Sequence, residues 1–463
     1  MQRHQLMPLL LEAVSQDNNL PLTSTCNASC VFCSHRQNPP GIRTYMFPPL
    51  EQQLLDELLL FLDRKRKIVI GESSSRLCEG EPFTHPLFFK VLEKLRVLYP
   101  GTPVQVTTNG MGLRGSAVAK LREIQEINPG GSSREPKLEL VVSLNCISSR
   151  LRMALMGDTS PEETRRSMIK LGENGVVFHG SVVALPHLTG WDELARVLHF
   201  LEVSGARTTR VFLPGFTRLA AKRLQFPGNT WSEIADFLEG LKEQLQHPVT
   251  LEPPLKQELA ARVEGVMADS PAWHAGVRRG DLLLEVNGEA VISAADGFSR
   301  IQKSLRPRLK LQRPGSGKDD LFSCRLAKGR QEASGLVFTR DLESTEMEAV
   351  VQEIRRSSAR KPLLLTSSLA KPLWQAAQAK GLLPGRLLIH PAVNRFFGGT
   401  IACAGLLTVL DLREALQGLM EKIRDVDRVI LPLRPFDRRG FDLQGEHYRE
   451  LISAFPGVEI SFL

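Results

Sequence analysis

The sequence predicts an α/β protein: a partial (β/α)6 barrel, then a small β domain, then a C-terminal α/β domain. Three observations carry that prediction. Residues 1–248 alternate short apolar runs with longer amphipathic ones, the rhythm of βα units around a parallel sheet. From residue 251 the turn signals crowd together, with Ser270-Pro271, Gly280-Asp281 and Asn287-Gly288 in close succession. Residues 321–463 then carry a third pattern, in which Gly398-Gly399 turns one β segment into the apolar run Thr400–Leu407.

Within the first domain, strands are expected at Leu20–Thr23, Lys67–Ile70, Val104–Thr107, Leu138–Leu144, Val176–Ala184 and Thr209–Leu213. Amphipathic helices are expected between them, at Leu50–Leu62, Pro86–Leu98, Gly115–Gln125, Pro161–Glu173, Trp191–Glu202 and Trp231–Leu245. Function belongs at the C-terminal ends of such strands, and a cysteine-rich loop follows the first of them. The Gly/Ser/Pro stretch 129–136 reads as a surface loop. In the second domain, 251–316, Val263–Val266 reads as a strand. Ser270-Pro271 caps a short helix, Gly280-Asp281 turns into the strand Leu282–Val286, and Asn287-Gly288 is a hairpin turn. The run 313–320, RPGSGKDD, reads as the linker to the third domain, 321–463.

The 463 residues are 42% hydrophobic and 24% charged, which excludes a largely disordered chain. Residues 1–19 hold only a short apolar patch, and no run reaches the ~18 apolar residues of a membrane span. The expected location is cytoplasmic, with no membrane partner. Seven cysteines, an odd number with three clustered, do not make a disulfide framework. The 59 Lys+Arg against 51 Asp+Glu leave a net charge of +8. These cations are dispersed, and the short runs Arg64–Lys67 and Arg306–Arg313 read as solvated faces, so nucleic acid is not the expected partner.

Cys26, Cys30 and Cys33 stand in the stretch CNASCVFC, with Phe32 before the last thiol. Three thiolates can hold three irons of a [4Fe–4S] cluster and leave the fourth open, which suggests reaction chemistry, since electron-transfer clusters usually have four protein ligands. Together with His35 the same cysteines also offer a Cys3His zinc set, although such sites usually draw on two separated knuckles. The C-x3-C-x2-C spacing with its aromatic resembles the signature of radical S-adenosylmethionine (radical SAM) enzymes. The resemblance implies that the open iron chelates SAM, that an external low-potential donor reduces the cluster, and that cleavage yields a 5′-deoxyadenosyl radical.

Three further segments resemble the same family. Glu79-Gly80-Glu81-Pro82 is similar to its G-G-E-P motif, which binds the SAM amino group, and a carboxylate suits an ammonium donor. Here Glu replaces the first Gly. The nine residues between Ile70 and Gly80 require a longer loop, unless Arg76–Glu79 is the true strand. Thr107-Thr108-Asn109-Gly110 resembles its T-N-G, and Ser143, Leu144 and Asn145 fall where the family contacts the SAM ribose and carboxylate. The resemblance therefore implies SAM contacts at Glu79, Gly80, Glu81, Pro82, Thr108, Asn109, Ser143 and Asn145. Cys78 and Cys146 lie beside these motifs. Either could donate a hydrogen atom or form a covalent intermediate, although a small buried hydrophobe is the default reading. His179 and His187 flank the fifth strand as acid–base candidates, and Leu213–Thr217 is expected to line the substrate opening.

The run from Val263 to Val291 resembles a bacterial-type PDZ domain, with SPA, AGV, GD and NG in order. This favours a peptide or protein partner bound by strand addition. No carboxylate-binding loop is legible near Leu259–Val263. Asn394–Thr408 resembles the N-x-F-F-G … G-L-L-T pattern of the C-terminal domain of unknown function number 512. The whole is similar to uncharacterised proteins that join these three parts. Two other functions remain open. One is an RNA-modifying radical SAM enzyme, though a methylthiotransferase would need a second cysteine triplet. The other is a non-catalytic PDZ scaffold with a structural or redox metal site.

Overall fold

A six-stranded, wholly parallel sheet organises the N-terminal half, in the order β1-β2-β3-β4-β5-β6. The computed structural model describes residues 3–73, 76–127, 137–226, 228–315, 320–423 and 425–463. They form two compact units, the first made of Met1–Arg36, Thr44–Pro214 and Lys222–Glu252. Its strands are β1 (Ile68–Ile70), β2 (Val104–Thr108), β3 (Leu138–Ser143), β4 (Phe178–Val183), β5 (Thr209–Phe212) and β6 (Val249–Glu252). Its helices are α1 (Arg3–Glu12), α2 (Gln52–Leu59), α3 (Phe88–Leu98), α4 (Ala117–Glu126), α5 (Ser149–Met156), α6 (Pro161–Glu173), α7 (Pro186–Thr189), α8 (Trp191–Val203) and α9 (Thr230–Lys242). Alternate residues of each strand, such as Val104 and Val106 on β2, are buried in one core with the apolar faces of the helices.

Two expectations change. Leu20–Thr23 is buried but is not a strand. Only Asn19 bridges to Val69, and the Leu22 carbonyl accepts from the Leu50 N–H instead of a sheet neighbour. The sixth strand is Val249–Glu252, beyond the expected boundary at 248, where it pairs with β5. The loop expected at 129–136 lies outside the described residues. Arg76–Glu79 is not a strand either: Leu77 makes a single bridge to Tyr45, so a longer loop follows β1.

The second unit comprises Gln37–Arg43, Gly215–Ala221 and Pro253–Leu463. Its first module contains β7 (Val263–Val266), α10 (Pro271–His274), β8 (Leu282–Val286), β9 (Glu289–Ala290), α11 (Ala294–Lys303), β10 (Arg308–Gln312), β11 (Leu321–Arg325) and β12 (Leu336–Phe338). Ser270 caps α10 by accepting from the Trp273 N–H. Asn287 and Gly288 both have positive φ, as a two-residue hairpin requires. The run 313–320, expected as a linker, falls between two paired strands. On either side of it β10 and β11 pair antiparallel, with Gln312 opposite Leu321, and residues 316–319 lie outside the described residues. The module then continues to β12, which pairs with β7.

The rest of the unit holds a parallel sheet in the order β14-β13-β15-β16, from β13 (Pro362–Ser367), β14 (Leu388–Ala392), β15 (Arg428–Leu431) and β16 (Glu459–Phe462). Around it lie α12 (Ser344–Arg356), α13 (Lys371–Ala379), α14 (Val409–Met420) and α15 (Arg449–Ala454). Every residue of β13 is buried, which suits its apolar run Pro362–Leu365. The Thr400–Leu407 run is irregular apart from one 3-10 turn at Ala404–Leu406, and it leads into α14. Buried Asp341 joins the two modules, accepting from the first N–H groups of α11 and from Lys256.

Candidate functional site

The cysteine loop is docked on the end of α5. Helices end with unpaired carbonyls; here the Leu155 and Met156 carbonyls accept from the Val31 and Ser29 N–H groups, each at 2.8 Å. Gly157 ends the helix with φ +71°, and a β-carbon there would overlap Ser29 Oγ. Val31 and Phe32 pack with Met111, Leu155 and Met156. Among the described residues the three thiols are not gathered as a closed metal-holding group, although Cys26 and Cys33 act on Cys30 electrostatically. Burial pushes Cys30 up to about 12, the Cys26 and Cys33 thiols add to the rise, and the Arg152 guanidinium opposes it. Cys26 is also raised, chiefly by partial burial, against a bond to its sulfur from the Ala28 N–H. Without a metal Cys26 and Cys30 are protonated thiols, so metal binding there would release protons. His35 turns elsewhere, towards Ser73 Oγ (3.4 Å) and the Glu79 backbone, so the Cys3His set is not assembled.

The loop after β1 runs beside the residues preceding Cys26. Gly80 donates to the Thr23 carbonyl and Glu81 N–H to the Thr25 carbonyl, at 2.7 and 2.8 Å. A β-carbon on Gly80 would overlap the Thr25 carbonyl, so this position requires glycine. Glu81 is fully enclosed. Its carboxylate accepts from Thr108 Oγ1 (2.6 Å), the Asn109 N–H (2.7 Å) and the Phe83 N–H (3.3 Å). Burial outweighs these bonds and lifts its pKa to about 7. Glu79 differs: both its oxygens are buried without a hydrogen-bond partner of good geometry. Burial raises it to about 8, with the Leu22 and Thr23 backbone opposing weakly.

Asn109 is the hub of the site. Its amide donates to Asn27 Oδ1 at 2.7 Å and lies 3.9 Å from Cys26 Sγ, which ties the end of β2 to the cysteine loop. Its carbonyl accepts from Arg152 Nη2 at 2.8 Å. Arg152 is wholly buried on α5. It also bonds Asp158 (2.6 Å) and the Ser143 carbonyl (3.5 Å), linking the ends of β2 and β3. Despite burial, bonds from Arg152, the Ser160 N–H and Thr164 hold Asp158 below the usual carboxylate range. Asn145 accepts from the Val183 N–H (2.6 Å) and donates to Met156 Sδ (3.5 Å), so its amide holds the end of β4. Sequence reasoning missed Arg152, Asp158 and α5 itself. The available signal was Ser148 as N-cap and Gly157 just past the helix, around an arginine set among apolar residues.

Cys146 is fully buried beside Met111 and Met156, and burial lifts its thiol to about 12; it is a small core residue. Cys78 is also buried, its thiol raised for the same reason. His179 sits near the start of β4, bonded to Thr208 Oγ1 (2.7 Å) and 3.6 Å from Glu139, away from the strand ends that carry the motifs. His187 packs against the Phe226 ring.

The sequence profile of the radical SAM superfamily matches residues 20–201. The chain carries a radical SAM domain. Such a domain works with a [4Fe–4S] cluster and SAM. A PDZ domain follows, matched over residues 262–313. A GTP 3',8-cyclase from Streptomyces coelicolor is 30% identical over 106 residues, which make up 23% of this chain and 29% of the cyclase. Streptococcus suis SuiB bound to its precursor peptide SuiA matches at 13% identity and a TM-score of 0.38, over 50% of this chain and 48% of SuiB. The enzyme anSMEcpe with bound AdoMet matches at 14% identity and a TM-score of 0.35, over 49% of this chain and 58% of that one. The chain thus spans under a third of the cyclase and about half of SuiB. Among the described residues no helix is long and apolar enough to cross a membrane.

In the PDZ module, β12 pairs with β7 on one side only among the described residues. Leu336 of β12 and Ile301 of α11 share one apolar cluster. The loop Leu326–Gly335 leads into this strand.

Proposed function

We propose that the chain is a radical SAM enzyme acting on a peptide or protein, with Cys26, Cys30 and Cys33 as the thiolate ligands of a [4Fe–4S] cluster. The observation that carries this reading is the cysteine loop docked on the end of α5, with Cys26 Sγ 3.9 Å from the Asn109 amide. When bound, the cluster and SAM supply one-electron cleavage of the sulfonium to a 5′-deoxyadenosyl radical that abstracts hydrogen, the electron coming from an external low-potential donor. The protein's part is to hold, orient and exclude water. Glu79–Pro82, Thr108, Asn109, Ser143 and Asn145 form the SAM side in this reading. Glu81, Thr108 and Asn145 serve by holding strand ends, since their polar atoms bond to protein. Glu79, whose oxygens have no hydrogen-bond partner of good geometry, is the carboxyl offered to the ammonium, whose charge would lower its raised pKa. The edge of β12 is the place for an added peptide strand.

Anaerobically reconstituted protein should bind about four irons and cleave SAM to 5′-deoxyadenosine and methionine on reduction. Alanine at Cys26, Cys30 or Cys33 should remove most of the iron, and Cys324→Ala should not. Stoichiometric zinc without iron–sulfur absorbance would overturn the reading.

A further inference from the structure

The motif Asn394–Thr408 has no part in the chemistry above, yet it makes a specific set of contacts. Asn394 Nδ2 donates to the Leu406 carbonyl at 2.6 Å, and Asn394 Oδ1 accepts from the Phe397 N–H at 2.9 Å. Asp411 accepts from the Arg395 and Phe396 N–H groups with one oxygen and from Thr408 with the other. These buried polar residues fold the loop so that Phe397–Thr400 meets the segment Phe216–Arg218. Arg218 N–H donates to the Phe397 carbonyl (2.8 Å), Thr400 N–H to the Phe216 carbonyl (2.9 Å), and Phe216 N–H to Thr400 Oγ1 (2.9 Å). Gly398 and Gly399 both have φ near +60°, and a β-carbon on Gly399 would overlap the Phe216 carbonyl. The double glycine serves left-handed backbone and close approach together.

The contact continues one step further. Thr217 Oγ1 donates to the Gln37 carbonyl at 2.6 Å, and Thr217 N–H to Gln37 Oε1 at 3.3 Å. Arg43 N–H donates to the Leu443 carbonyl at 2.7 Å, so segment 37–43 is held at both ends. Gln37 follows Cys33 by a single 3-10 turn, Ser34–Arg36, closed by the Arg36 N–H on the Cys33 carbonyl at 3.2 Å.

We propose that the Asn394–Thr408 loop is a latch: it holds segments 215–221 and 37–43 and, through the second, fixes the far end of the cysteine loop. Its consequence for iron retention rests on the cluster reading above; the latch itself does not. The Leu155 and Met156 carbonyls anchor the middle of the cysteine loop, and the latch anchors its exit. This gives the N-x-F-F-G-G-T pattern a positioning role: Asn394 and Asp411 shape the loop, the glycines admit the Phe216 carbonyl, and Thr400 bonds it.

Two variants of the full chain test this. Gly399→Ala should open both segments, and Thr217→Val, which removes the hydroxyl link to Gln37 and the Leu219 N–H bond to the same oxygen (3.2 Å) but leaves the Phe216–Thr400 bonds, should open 37–43 the more. The readout on metal-free protein is limited trypsin cleavage after Arg36, Arg43 and Arg218. Its rate follows the open population and should rise about fivefold, the factor that one lost hydrogen bond of ordinary net worth gives. Chelator removal of iron from reconstituted protein should quicken in both variants. Wild-type cleavage rates at all three sites in Gly399→Ala, with a native melting profile, would overturn the latch. If that variant fails to fold, Thr217→Val decides by whether cleavage after Arg36 and Arg43 rises. If the wild type binds no iron, the cluster reading falls while the trypsin result still judges the latch.

Discussion

Gly157→Ala is the sharpest perturbation of the cysteine loop. At φ +71° an alanine carries a left-handed cost of about 1 kcal/mol. Its methyl also overlaps Ser29 Oγ, and Ser29 must move. That endangers two loop-to-helix bonds, Ser29 N–H to the Met156 carbonyl and Val31 N–H to the Leu155 carbonyl. At about 1 kcal/mol each they add roughly 2 kcal/mol, a factor of about thirty in local opening. Gly115 supplies the control, since it has φ +59° but nothing near its β-carbon direction. Gly115→Ala carries the same backbone strain and should leave the loop alone. Hydrogen exchange of the Ser29 and Val31 amides in metal-free protein should therefore quicken roughly thirtyfold in Gly157→Ala relative to Gly115→Ala. Adding Ser29→Ala removes the overlapping oxygen, and the double variant should recover most of the protection. Equal exchange in the two glycine variants, or no rescue by Ser29→Ala, would refute the docking argument.

Glu81, at about 7 against an ordinary 4.5, holds its proton more tightly folded than unfolded. Stability therefore falls as pH rises from 4.5 to 7, by roughly 3 kcal/mol, and is flat above. Glu81→Gln should be more stable than wild type at pH 8, with the gap closing towards pH 5 in urea titrations. Glu79→Gln should show the same sign over a window reaching about 8. For the PDZ module, Phe338→p-benzoylphenylalanine should photo-capture peptides selected by panning on the full chain. The same residue at exposed Leu321 on β11 should not, and equal capture would remove β12 as the docking edge.

Much of the fold was legible because its signals are local. The 3.6-residue periodicity located α3, α6 and α8 to within two residues, and the apolar runs located β1 to β5. Leu20–Thr23 misled because burial and strand pairing leave the same apolar signature. Its backbone bonds go to three separate places, Leu20 N–H to the Val69 carbonyl and the Leu22 and Thr23 carbonyls from the Leu50 and Gly80 N–H groups, which no local pattern announces. β10 and β11 pair with Gln312 opposite Leu321, a pairing across the expected linker at 313–320 that its Gly/Pro/Ser composition does not announce.

By itself the sequence determined the thiol triplet and the order of the motifs around it, because ligand identity and spacing along a loop are local properties. Tertiary structure decided what those motifs do. Glu81 bonds Thr108 and Asn109 from 27 and 28 residues away, and Arg152 reaches the Asn109 carbonyl across 43. Thr400 and Phe216 meet across 184 residues. Such contacts depend on where packing places each backbone, and burial then sets whether a carboxyl such as Glu79 or Glu81 keeps its proton. No window of sequence contains either fact.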